Sequence, residues 1–193
     1  MTNRLSYLKW LWGLFFLRLG GLVLDGVSWA LTGDFWTVWV SYGISACTCI
    51  CLFFLAPLCE DYRKAGYFKT GSFGLTLLNT FVLKNSAVLV AISVLSFLAA
   101  YHTYTAHSRI CPESKLSKHW QLLLGSELLI AALKMLVSAT GTVLLLLVQI
   151  NITDLTNSLM AVLFVAGAVL SVLYLVLMHK TIRLVEQNVS GIM

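Results

Sequence analysis

The sequence predicts an all-α protein, a polytopic integral membrane helical bundle, and three observations carry that prediction. Hydrophobic residues make up 59% of the 193 positions and charged residues only 11%, with a mean hydropathy of +0.88. A soluble domain of this length carries about 25% charged residues, so this chain could not cover its surface with groups that water solvates. Five long apolar segments can be marked, about 8–31, 36–57, 73–105, 120–150 and 157–179. The stretches between them are too short for a soluble domain, so residues 1–193 read as a single membrane domain.

A crossing needs ~20 apolar residues. The segments 36–57 and 157–179 meet this with no charged residue and are secure spans. Segment 8–31 is framed by tryptophans, Trp10 and Trp12 at one end and Trp29 at the other, with Trp36 and Trp39 opening the next segment. Tryptophan favours the membrane–water interface, and Trp12 to Trp29 measures ~26 Å at helical rise, close to hydrocarbon thickness. No small-residue cleavage pattern closes this first apolar run, so a cleaved signal peptide is not expected. Segment 120–150 is long enough although it contains Glu127 and Lys134, which makes four secure spans. Segment 73–105 is longer than one crossing needs and is interrupted by Lys84 in "FVLKNSAVL". It is either a split pair turning at Lys84-Asn85-Ser86 or a re-entrant or interfacial element, which leaves the span number between four and six.

The connections read as "TGDF" (32–35), "CEDYRKAGYFKTGS" (59–72), "HSRICPESKLSKH" (107–119) and "NITDLTN" (151–157). The first and last are tight polar turns, so the flanking segments form two helical hairpins. Arg4, Lys9, Arg63, Lys64, Lys69, Arg109, Lys115, Lys118, Lys180 and Arg183 lie outside the apolar runs, and the two hairpin turns contain no basic residue. Five single crossings would divide these ten cations equally. If segment 73–105 crosses twice or not at all, all ten share one side, and the positive-inside rule then favours cytoplasmic termini.

Arg18 and Asp25 are seven apart in the first segment, and Glu127 and Lys134 are seven apart in the fourth. Seven residues is nearly two turns, so each pair shares a helix face. A charge near a helix centre costs ~2.5–3.5 kcal/mol on insertion scales, so all four call for partners. Arg18 and Glu127 lie at similar distances after Trp12 and Trp120, as do Asp25 and Lys134. Parallel packing of the two segments would therefore join Arg18 to Glu127 and Asp25 to Lys134. Local pairing of Arg18 with Asp25, or a partner protein's helix, would also satisfy them.

Little else suggests chemistry. Cys47, Cys49 and Cys51 alternate within an apolar helix and point apart, as packing residues do; Cys59 at a membrane edge has the position of an acylation site in a eukaryotic host. His102 and His107 are five apart, not the i, i+4 of a helical metal site, and read with His119 as interfacial loop histidines. No His-Glu-x-x-His, Cys-x-x-Cys or Gly-x-Ser-x-Gly motif occurs. Gly20, Gly21 and Gly167 suit close helix approach. No enzyme activity, metal or cofactor is expected, and nucleic acid is not a partner, because the basic residues are scattered at helix ends.

Two stretches, "YRKAGYFKTGSF" (62–73) and the ending "ITDLTNSLMAVLFVAGAVLSVLYLVLMHKTIRLVEQN", resemble a family of small uncharacterised bacterial inner-membrane proteins. Its marks are a Tyr-Arg-x-Gly-x-Phe loop after the second helix, an Asp-Leu entry to the last helix and an Arg-Leu-x-Glu-x-Asn tail. The two stretches cover about a quarter of the chain, which departs from the family in segment 73–105 and in its Ser-Gly-Ile-Met ending. The resemblance implies a four-span core with cytoplasmic termini in a bacterial inner membrane, and no activity. The expected role is non-enzymatic: a structural, assembly or accessory protein acting through its transmembrane helices. The expected partners are the lipid bilayer and another membrane protein or a second copy of the chain. The alternative is a small transporter or channel component using Arg18, Asp25, Glu127 and Lys134.

Overall fold

A computed structural model of the chain describes residues 2–30, 35–111, 115–143 and 153–190. Among these, six α-helices and no strand are found: α1 (Thr2–Ala30), α2 (Phe35–Leu55), α3 (Glu60–Leu78), α4 (Ser86–Ile110), α5 (Lys115–Val143) and α6 (Thr153–Ser190). The all-α fold expected from composition is what the chain adopts. Four stretches are long and apolar enough to cross a membrane: Tyr7–Ser28, Trp36–Leu55, Val88–Ile110 and Leu155–Gln187. The expected span 120–150 is helical over the described part of α5, and its apolar run 144–150 lies outside the described residues, as do the turn residues 31–34.

Two units make up the chain, Met1–Gln121 with Leu175–Met193, and Leu122–Tyr174. In the first unit each helix reverses on the one before it. Trp10 of α1 stacks on Phe54 of α2 with centroids 4.1 Å apart. Further along, Gly13 lies so near α2 that a Cβ there would sit 3.2 Å from Cys51 Sγ. α2 and α3 close in the same way: a Cβ on Gly66 would meet the Phe53 ring at 3.1 Å. At the far end of that pair the Tyr42 hydroxyl donates to Thr80 Oγ1 at 3.0 Å. α3 and α4 run antiparallel, with Ser72 and Ser96 sharing a hydrogen bond of 2.6 Å. Small residues and hydroxyls at these seams let backbones approach where the hydrophobic effect supplies no drive between helices.

The first corrected expectation concerns residues 59–72, read from sequence as a connecting loop but folded as most of α3. The acidic pair Glu60 and Asp61 opens the helix, where the positive end of the peptide dipole favours it. Glu60 also pairs with Arg63 at 3.7 Å and Lys64 at 3.3 Å, one turn on. Segment 73–105 is likewise two helical legs. α3 runs into a π-helical turn over Asn79–Leu83 that ends at Lys84, whose φ of 47° and ψ of 39° are left-handed. Asn79 closes this reversal twice, its carbonyl accepting from the Lys84 N–H and its side-chain oxygen from the Asn85 N–H, both at 2.9 Å. The turn thus falls at Lys84-Asn85, where the sequence placed the interruption, with a helix on either side. The stretch 107–119 is also mostly helical, since α4 continues to Ile110 and α5 starts at Lys115.

At one end of the first unit the start of α5 and the end of α6 join the other helices. The Trp120 indole N–H donates to Thr181 Oγ1 at 3.0 Å, and Trp12 donates to Glu186 Oε1 at 3.4 Å. Leu11, Leu52, Leu55, Met178 and Ile182 are all fully buried there. In the second unit α5 and α6 run side by side, with Lys134 Nζ 3.5 Å from where a Gly167 Cβ would lie.

Candidate functional site

α3, like α5, is not among the described helices apolar enough to cross a membrane, yet it packs between α2 and α4, both of crossing length. Asp61, Ala65, Lys69, Ser72, Thr76 and Thr80 recur three or four residues apart along it. That spacing puts them on one face, so α3 carries polar residues along one face, interrupted at Ala65, from its first turn to the π-helical turn.

The stripe begins in a buried cluster at the end of the first unit where α1 and α3 start and α2 and α4 finish. Asp61 is 4% exposed. Its two oxygens are divided between helices: Oδ1 meets His102 Nδ1 of α4 at 3.0 Å, and Oδ2 meets Arg109 Nη1 at 2.5 Å. The Cys59 thiol, at the residue preceding α3, also donates to Oδ2 at 3.7 Å. Asp61 gains from the α3 N-terminus, while Arg109 lies in the last turn of α4, where a cation suits the dipole. His102 is held flat against Phe68, with centroids 5.5 Å apart and planes 9° apart. The Arg109 side chain is 64% exposed, so this ion pair is only half removed from water, and its net strength is modest.

Beside it, Tyr62 and His107 share a buried hydrogen bond of 2.8 Å. His107 is fully buried and leans on Trp120, centroids 4.6 Å apart. Trp120 continues to Thr181, whose own hydroxyl donates to the Leu177 carbonyl at 3.0 Å. Two hydrogen bonds joined by a ring contact therefore tie α3, α4, α5 and α6 at this end. Cys111 is buried there too, and burial pushes its thiol above the ordinary value of 9.0, partly offset by a hydrogen bond with Thr181. Further along the stripe, Ser72 is buried against Ser96. Thr76 back-bonds to the Ser72 carbonyl at 2.8 Å, and Thr80 to the Thr76 carbonyl at 2.9 Å. Lys69 lies within electrostatic reach of Arg18 on α1 and of Cys49 on α2.

Of the expected site residues, Arg18 and Asp25 lie on α1 in the first unit and are exposed. Glu127 and Lys134 lie on α5 in the second unit, both half-buried. The fourfold pairing is not a feature of either unit taken alone. The histidines read as loop residues are helical instead: His102 and His107 lie in α4 and His119 in α5. The sequence reading missed Asp61, Tyr62 and Arg109 because it made residues 59–72 and 107–119 loops. The signal that could have found Asp61 was the three-to-four spacing that begins there; Tyr62 and Arg109 are not on that series. Among the described residues no three His, Cys, Asp or Glu side chains converge to hold a metal ion. No protein-family model, curated protein or solved structure matches the chain.

Proposed function

We propose that the chain is a small membrane transport component, with its basic end and both termini on the cytoplasmic side. The observation that carries this reading is α3, a helix with Asp61, Lys69, Ser72 and Thr76 along one face, packed between two apolar helices of crossing length. Polar and ionisable groups are expensive at membrane depth and by default mark a pathway. The cross-helix bonds to Ser96, Tyr42 and His102 offset part of that cost. Orientation follows from charge. With segment 73–105 folded into two legs, the basic residues near helix ends, Lys84 excepted, gather at the end that holds Asp61 and Trp120, and the positive-inside rule then turns that end to the cytoplasm. The resemblance of residues 62–73 and of the chain's ending to small bacterial inner-membrane proteins agrees with this topology and suggests that membrane. The test is ion flux in liposomes reconstituted with the purified protein: flux above that of empty liposomes supports the reading, and none overturns it.

A second reading, an assembly or accessory protein, is favoured by Arg18 and Asp25, which are exposed along α1 within the apolar stretch Tyr7–Ser28. Charges at that depth suit a role in holding helices together, and the pairing of Arg18 with Glu127 and of Asp25 with Lys134 is the one that the sequence spacing suggests. Charge reversal tests that pairing. Arg18→Glu should lower the yield of folded protein and Glu127→Arg added to it should restore that yield. A double variant no better than the worse single one rules out that pairing.

A further inference from the structure

We propose that the outer side of the α1–α6 seam, at the basic end of the first unit, binds the headgroup of an anionic phospholipid, with Lys9 and Lys180 as its principal contacts. The inference goes beyond the transport reading and does not depend on it, since it needs only that α1 and α6 cross the membrane. The seam is fixed by aromatic and polar contacts within the first unit. Trp12 of α1 lies edge-on to His179 of α6 with centroids 5.7 Å apart, and Phe15 lies 6.4 Å from the same ring. The Trp12 indole N–H donates to Glu186 Oε1 at 3.4 Å, and the other oxygen of that carboxylate meets Arg183 Nη1 at 3.6 Å. His179, Arg183 and Glu186, three or four residues apart, therefore line the face of α6 that meets α1.

Where the cations point follows from helix geometry. Met178 and Ile182 are fully buried, His179 faces α1, and Thr181 faces Trp120 of α5. Lys180 lies between those two directions, about 100° of turn from each, and is exposed on the side away from the core. On α1, Leu11 and Leu14 are buried and Trp10 turns to α2, while Lys9 is exposed on the same face as Phe16. Lys9 is one turn from Trp12 and Arg183 one turn from His179, both toward the basic end, so the two lie at similar depth. Three cations thus meet one carboxylate, and that carboxylate is already committed to Arg183 and Trp12. Among the described residues, the ion pairs of this end engage Arg63, Lys64, Arg109 and Arg183, and neither Lys9 nor Lys180.

The crossing stretches Tyr7–Ser28 and Leu155–Gln187 both end here, which sets the cations at headgroup level. Deeper in, the same faces turn apolar. Phe16 and Val23 follow Lys9 at intervals of seven and are both more than half exposed; Val176, one turn from Lys180, is exposed as well. Lys9 to Phe16 measures ~10 Å at helical rise, within the ~15 Å depth of one leaflet. A phospholipid with net negative charge matches both halves of this surface, its phosphate meeting the cations and its acyl chain the apolar side chains beneath. A zwitterionic phospholipid offers the chain without net charge, and inorganic phosphate the charge without the chain.

The experiment is native mass spectrometry of the full chain in detergent, with phosphatidylglycerol, phosphatidylcholine or inorganic phosphate added. Phosphatidylglycerol adducts should appear at about tenfold lower concentration than phosphatidylcholine adducts, and inorganic phosphate should not displace them. A basic residue near an anionic lipid surface is worth about fivefold in binding. Lys9→Gln combined with Lys180→Gln should therefore abolish the preference. Arg63→Gln combined with Lys64→Gln, which removes the same charge from α3 at the basic end, should retain it. Far-UV circular dichroism and gel-filtration elution identify the folded variants. If the first double variant fails to fold, Lys9→Gln and Lys180→Gln taken singly decide the matter, each lowering the preference about fivefold. Equal binding of the two lipids by the wild type overturns the inference. A preference that survives in folded Lys9→Gln/Lys180→Gln, or that falls as far in the Arg63 and Lys64 variant, reflects general surface charge and overturns the seam as the site. Displacement of phosphatidylglycerol by inorganic phosphate assigns the seam to a soluble anion and overturns the lipid. Ion flux in liposomes is read separately, so failure here leaves the transport reading standing.

Discussion

At the scale of single residues, the polar cluster around Asp61 is held by hydrogen bonds whose partners come from different helices. Its innermost member is the pair Tyr62–His107. Tyr62→Phe removes the phenolic hydroxyl and leaves a fully buried imidazole nitrogen facing a ring edge. A buried polar group deprived of its partner costs about 1–3 kcal/mol, so detergent-solubilised Tyr62→Phe should unfold at clearly lower temperature than the wild type. An unchanged unfolding temperature would mean that the pair contributes nothing net to holding α3 against α4. Close packing is felt at single glycines too. A Cβ on Gly66 would press on three atoms of the Phe53 ring at 3.1–3.3 Å, whereas one on Gly21 would meet nothing within 4 Å. Gly66→Ala should therefore destabilise, by about 1–3 kcal/mol if the ring cannot yield. Gly21→Ala should be neutral or stabilising by up to about 1 kcal/mol through helix propensity. Thermal unfolding of the two variants side by side checks both, and equal shifts would contradict the steric account.

At the scale of elements, the reversal between α3 and α4 is where sequence and backbone meet most sharply. Lys84 is a charge interrupting an apolar run, and it is also the one described non-glycine residue with positive φ. An L-residue in that conformation costs about 1–2 kcal/mol relative to glycine. Lys84→Gly should therefore raise thermal stability by about 1 kcal/mol, since the two hydrogen bonds to Asn79 do not involve the Lys84 side chain. A loss of stability would show that the lysine head group holds the turn. The apolar helices were legible in advance because twenty or more residues without a charge leave few alternatives in a bilayer. α3 was not. Its first half holds five charged residues and two glycines between Glu60 and Gly71, which in water-soluble chains reads as a loop. Those same residues are tolerated because Asp61 is neutralised across the seam by α4, Glu60 is paired one turn on, and Gly66 lets α2 approach. Such compensation depends on neighbours, and a run-by-run reading of hydropathy contains no neighbours. The histidines of α4 were misplaced for the same reason: His107 is acceptable inside the protein only because Tyr62 and Trp120 surround it.

At the scale of the whole molecule, α1 starts and α6 ends in the first unit, where Trp12 donates to Glu186, so the proposed topology puts the two termini on one side. On the same proposal the Lys84–Asn85 reversal, at the far end of α3, lies on the opposite side from the cluster of Asp61, Arg109 and Trp120. This topology predicts a pattern of thiol labelling in intact cells. Lys84→Cys should react with a membrane-impermeant maleimide from outside, because Lys84 is exposed and lies at the far end of α3 from Asp61. Native Cys59, half-buried beside Asp61, should react only after the membrane is permeabilised. Native Cys111 should resist even then. It is 2% exposed, and its thiol titrates above the ordinary value. The reactive thiolate is the minor form at neutral pH, so what little labelling Cys111 shows should grow as pH rises toward and past that value. Labelling of Cys59 from outside, with Lys84→Cys protected until permeabilisation, would invert the orientation. Labelling of both from one side of the intact membrane would mean that α3 does not cross, and the polar stripe would then lead nowhere.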